Sequence, residues 1–230
     1  MHQTTELYKN ILSGNHKKEF RVVVSGVEYR ADDIVSLSTN QSLYSDSGPC
    51  IGACVSGGIE VSYLPGNEAP PRMAKIELYV RIVNETDSSE WIPKGVYYTD
   101  TRIIDPETGV YTLTGFDAML LAEKVFLSEG ETGEWPRSST VLVEQIASKM
   151  GVSIDGRTVL NSSYKVAYPN DFTCRELLSQ IAVAHAGNWV ITDAGELRLV
   201  RLTEIPEETW LLVTETGDVI RFGEVGIIAG

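Results

Sequence analysis

Three histidines, three cysteines and a surplus of carboxylates are what this 230-residue chain offers for chemistry. A metal site needs imidazoles or thiolates at short repeating spacings, and His2, His16 and His185 stand far apart. His2 is terminal, and His16 sits in a basic turn with Lys17 and Lys18. His185 closes a helical run, where it can cap carbonyls or favour the helix dipole. Cys50 and Cys54 form a C-x-x-x-C in a Gly/Ser-rich stretch, a spacing that allows a disulfide but is weak as a zinc half-site. The reading is free thiols in a reducing compartment. Cys174 and His185 could suggest thiol chemistry, but helical geometry would hold them about 16 Å apart along the axis. Asp100 with Asp105, or Glu60 with Glu77, becomes a glycosidase pair only if a fold is invented to suit. The chain lacks G-x-G-x-x-G, a Walker loop, H-E-x-x-H and G-x-S-x-G. Ser56-Gly57-Gly58 precedes a strand pattern rather than a helix, which makes it a turn before it makes it an anion nest. These residues imply no catalytic group, no metal and no cofactor.

Binding is better supplied. The chain carries four tryptophans and ten tyrosines. Trp91, Tyr97 and Tyr98 flank or enter strand patterns, where core packing is the ordinary use of such rings. Trp135 lies in the polar break SEGETGEWPRS, either as an exposed anchor or as a ring closing a seam between two modules. Acidic residues number 32 against 19 basic ones, a formal net charge of -13. Such a surface repels nucleic-acid phosphates, so no specific nucleic-acid binding is expected. The N-terminus has no signal-peptide pattern, and no apolar run approaches the roughly 20 residues of a spanning helix. The sequons at Asn40, Asn84 and Asn161 read as chance matches.

The elements that must position these groups come in three stretches. Residues 1–14 predict an N-terminal helix with Leu7, Tyr8, Ile11 and Leu12 on one stripe. Residues 15–115 are written in strands: Phe20–Val24 and Val27–Tyr29 around Ser25-Gly26, then Ile34–Leu37, Gly58–Leu64, Ala74–Val83, Val96–Ile104 and Val110–Gly115. KIELYVRIV alternates with a period of two. The connection 39–58 is long, polar and glycine-rich, and its length calls for a reason such as contact with a partner. Sequential short strands without helices favour an antiparallel barrel or sandwich. Residues 116–200 predict a helix-rich α+β module, with helices at Asp117–Phe126, Thr140–Met150 and a capping-box helix from Thr173, then a hairpin through Asp193-Ala194-Gly195. Residues 201–230 return to strand-like runs at Trp210–Val213 and Val219–Phe222. The expected fold class is therefore α+β.

Three segments carry a family resemblance: EFRVVVSGVEYRADDIVSLSTNQSL, WIPKGVYYTDTRIIDPETGVYTLTGFDAMLLAEKVF and DFTCRELLSQIAVAHAGNWVITDAGELRLV. In content and order they resemble baseplate hub, or tail-tip hub, proteins of bacteriophages, prophages of Gram-positive bacteria and contractile injection particles. The resemblance implies a first β-barrel over 15–115, an inserted module over 116–200 and a partial second barrel over 201–230. It implies a homo-trimeric ring joining a tail tube or distal tail protein to a tip spike or fibre protein. It also implies synthesis in a host bacterial cytoplasm and assembly into a virion tail. Interface candidates under this resemblance are Cys50 and Cys54 in the long connection, and Lys75, Glu77 and Tyr79 on the strand near 75–83. Trp135 would face outward or toward the tip. The alternatives are a generic protein-binding module and a cell-wall-degrading tail enzyme.

Overall fold

The computed structural model describes residues 4–44, 48–64, 70–127 and 133–202, together with the backbone of 221–222 and 225–226. Helix α1 (Glu6–Leu12) is capped by the Thr5 hydroxyl, which accepts from the Tyr8 N–H, and seats Ile11 in the core. Seven strands follow: β1 (Lys17–Val24), β2 (Val27–Tyr29), β3 (Ile34–Asn40), β4 (Gly58–Tyr63), β5 (Lys75–Val83), β6 (Ile92–Ile104) and β7 (Tyr111–Asp117). They form one antiparallel sheet in the order β2-β1-β5-β6-β7-β4-β3.

Ser25 at φ 49° and Gly26 at φ 87° make the tight β1–β2 turn, which needs two left-handed residues in succession. The alternation of β5 puts Ile76, Leu78, Val80 and Ile82 on one face and Lys75, Glu77, Tyr79, Arg81 and Val83 on the other. Val22, Val61, Ile76, Leu113 and Tyr97 form the centre of the core on the inner face. Burying each aliphatic side chain of this kind is worth about 1.5–3 kcal/mol.

The expected barrel is corrected by this sheet. It is curled but open, because among the described residues β2 and β3 end the strand order and do not pair with each other. Closure needs the two edge strands to meet along a matching length, and β2 offers only three residues. The second barrel expected over 201–230 falls mostly outside the described residues. There Arg221–Phe222 (β12) and Val225–Gly226 (β13) form only a short antiparallel pair.

A second core holds the helix-rich part. Helix α2 (Ser139–Met150) starts at the Ser138 cap and stops at Gly151 in the left-handed region. Helix α3 (Cys174–Ala184) opens with the full capping box of Thr173 and Glu176. The hairpin β10 (Gly187–Ile191) and β11 (Leu197–Arg201) packs Trp189, Ile191, Leu197 and Leu199 against both helices. A small pair, β8 (Arg137–Ser138) with β9 (Lys165–Val166), ties the ends of the polar segments.

The predicted helix over Asp117–Phe126 is a shorter 3-10 helix over Ala118–Glu123. Competing backbone partners explain this. The Cys174 N–H donates to the Lys124 carbonyl, the Phe126 N–H donates to the Phe172 carbonyl, and Val125 bridges Thr173. The chain after Glu123 is thereby drawn out beside the start of α3.

Candidate interaction surface

The outer face of β1 and β5 gathers the side chains with most binding character. Register places Arg21 opposite Tyr79 and Glu19 opposite Arg81. The Arg21 guanidinium lies 4.2 Å from the Tyr79 ring centroid and 4.9 Å from that of Trp91. Arg81 covers Trp91 at 4.6 Å and pairs with Glu19 at 2.7 Å. Arg21 also approaches Glu28 at 3.5 Å. One strand position along, Lys75 Nζ donates to Glu77 at 2.9 Å, and that hydrogen bond raises the Lys75 pKa. The patch combines arginine, tyrosine and tryptophan, the residue types that most often anchor protein contacts. Of its members, Lys75, Glu77 and Tyr79 were expected from the sequence, whereas Arg21, Arg81 and Trp91 were not. Their convergence depends on cross-strand register, which the alternation of single strands does not reveal.

The long connection after β3 has a clear structural duty. Its backbone runs beside β10: the Gly52 N–H donates to Gly187, the Trp189 N–H donates to Ala53, and Cys54 bridges Trp189 in parallel. Asn188 is fully buried and spends its whole side-chain amide on this segment. Its Oδ1 accepts from the Ala53 N–H, and its Nδ2 donates to the Leu43 and Cys50 carbonyls. Ser179 donates to the Gly52 carbonyl. Arg175 donates to the carbonyls of Cys54 and Met119 and to the Ser56 hydroxyl, and pairs with Glu123. Leu43 and residues 50–57 thus form a seam that welds sheet to helical module. Cys50 is half-buried, and Cys54 packs against the module core with its thiol pushed up to about 12 by burial. Cys54 and the buried Cys174 are free thiols.

Asp117, at the end of β7, completes the seam. Its carboxylate accepts from the Gly57 N–H at 2.6 Å and from the Met119 N–H at 2.9 Å, the second bond capping the 3-10 helix. Burial pushes its pKa up to about 6, against the pull of those N–H groups and of Arg175. A cleft of about 680 Å³ opens beside it, lined among others by Leu43, Val55, Asp155, Arg157, Arg198 and Val200. Asp155 is held well below the usual carboxylate range, at about 2, by the hydrogen bond from Arg157.

The remaining expected residues fall into structural places. Trp135 packs edge-on to Phe126 and Tyr168 with Arg137 over its ring, in the module core rather than between sheet and module. Asp105 serves its turn, accepting from the Glu107 N–H and the Thr108 hydroxyl, and these bonds lower its pKa. Among the described residues no group of three or more His, Cys, Asp or Glu side chains could hold a metal ion. Likewise no helix there is long and apolar enough to cross a membrane.

No protein-family model matches the sequence, and no curated protein matches it. The fold, in contrast, has solved counterparts. The chain is similar to the 43 kDa tail protein of prophage MuSo2 from Shewanella oneidensis, with a TM-score of 0.55 and 13% identity over 90% of this chain. It is also similar to a tail protein from Neisseria meningitidis MC58, with a TM-score of 0.52 and 11% identity over 89% of this chain. It spans 62% and 58% of those two proteins' lengths. At such identities the likeness is one of fold.

Proposed function

We propose that the chain is a structural, non-catalytic subunit of a bacteriophage or prophage-derived tail. The observation that carries this reading is the shared fold over nine-tenths of the chain with two tail proteins, described above. Within the tail, the reading assigns it to a homo-trimeric hub between the tube or distal tail ring and a tip spike or fibre. The open sheet supports that assignment physically, since a curled sheet whose strand order, among the described residues, ends at β2 and β3 can contribute an arc to a ring built by several chains. The Arg21, Tyr79, Arg81 and Trp91 patch, with Lys75 and Glu77 beside it, is the proposed contact face toward the neighbouring subunit or the tube-side ring. The solvent side of the seam around Cys50 and Cys54, and the segment around Trp135, are the proposed secondary contacts.

Quantitative mass spectrometry of purified tail particles tests this reading. The expected result is the chain present at about three copies per particle, as a closed three-fold ring requires. Its absence from the particles would overturn the tail reading, and a copy number matching the repeating tube would overturn the hub position.

A further inference from the structure

Charge is segregated along the sheet. At one end of the strand order, β1, β2 and the Arg30 that follows carry Lys17, Lys18, Arg21 and Arg30 against Glu19 and Glu28. Next to them β5 adds Lys75 and Arg81 against Glu77. At the other end, the stretch 31–63 that holds β3 and β4 contains no lysine or arginine. Its charged residues among those described are Asp32, Asp33 and Glu60, and all three are exposed. Glu60 stands across from Ser38 on β3 and Thr114 on β7, so neither cross-strand neighbour is cationic. In a chain with a net charge of -13 the basic face is the exception.

The basic face also holds an unfilled donor. Arg21 is fixed between the Tyr79 and Trp91 rings and approaches Glu28 at 3.5 Å. Glu28 is shared with Arg30, which it meets at 2.5 Å. The Arg21 Nε is buried and donates to no acceptor among the described residues. A desolvated guanidinium donor left without an acceptor is costly, and an incoming carboxylate offsets that cost with a charge-assisted bond.

We propose that this face docks a second copy of the chain, head to tail, through that copy's acidic face at Asp32, Asp33 and Glu60. Sign decides the occupant, since the chain itself supplies the carboxylates that Arg21 lacks. The two faces differ, so the contact is heterologous, and each copy keeps a face of either sign for the next. The docking rests on the tail-subunit reading above, whose contact face it supplies with a partner.

Sedimentation velocity on the whole chain, over a range of concentrations, tests the contact. The chain should self-associate at about 50 mM salt, and its dissociation constant should rise about tenfold or more at about 500 mM. Arg21→Glu should weaken association at low salt by a similar factor, and so should Glu60→Arg. Mixing the two variants should restore association, because the Arg21 of one then meets the intact Glu60 of the other. A variant that merely misfolds gives no such rescue. A monomer at every concentration, association indifferent to salt or to either substitution, or a mixture no tighter than its parts would each overturn the proposal. Such a result would leave the tail reading to the particle mass spectrometry, which does not depend on this contact.

Discussion

Replacing Asn188 by alanine probes the seam at its most committed side chain. The amide is fully buried and makes three hydrogen bonds, all to backbone groups of residues 43–53. Each net bond contributes about 1 kcal/mol, and buried backbone groups left without partners add desolvation cost, so the loss should reach about 3–5 kcal/mol. For a chain of this size each kcal/mol lowers Tm by about 2–4 °C, which predicts a fall of at least about 6 °C. Asn188→Asp makes a sharper control, because a carboxylate would face the Leu43 and Cys50 carbonyls. That variant should be less stable than the alanine variant at neutral pH and recover in acid, where a protonated carboxyl can donate to one carbonyl. The assay is denaturant unfolding, with amide exchange of residues 48–54 as the local readout. A change below about 0.5 kcal/mol, with unaltered exchange in the loop, would refute the seam as an energetic link.

Other predictions come from the same region. Asp117 has a folded pKa of about 6, raised by burial above the ordinary carboxylate value. A raised carboxyl contributes stability that is present below its unfolded pKa and lost as pH rises through the folded one. The wild type should therefore gain about 1 kcal/mol over Asp117→Asn between pH 7 and pH 5 in parallel urea titrations, and a flat difference would contradict this. Gly52 has φ +90°, and a Cβ there would lie 2.5 Å from Val183 Cγ2. Gly52→Ala should cost about 2 kcal/mol or more by thermal unfolding, whereas neutrality would mean the loop does not sit against α3.

The sequence carried the strands well because they are local. Alternation in KIELYVRIV, the Ser25-Gly26 turn and the Thr173–Glu176 capping box each declare themselves within a few residues, and each is present. Closure was not local. The barrel was inferred from strand number, but whether β2 meets β3 depends on curvature and edge length, and the short β2 leaves the sheet open. The helix over 117–126 failed for a related reason, since its carbonyl and N–H groups are taken by Phe172 and Cys174, nearly fifty residues away. The long connection was read as calling for a reason for its length, such as contact with a partner. Its visible partner is the chain's own β10, and Asn188 gave no signal because a lone asparagine beside a tryptophan looks like any strand residue. His185 was read as a helix-end cap, which its bond to Ile181 matches, but its second bond to Asn161 needed the fold.

The central claim is a place in a particle, and it is tested most directly by locating the chain there. An antibody or gold label on an exposed tag should be imaged by electron microscopy on intact tails. The account predicts label at a single end of the tail, at the tip side of the tube. Label along the tube length, or particles that never take label although the tagged chain is made, would contradict it.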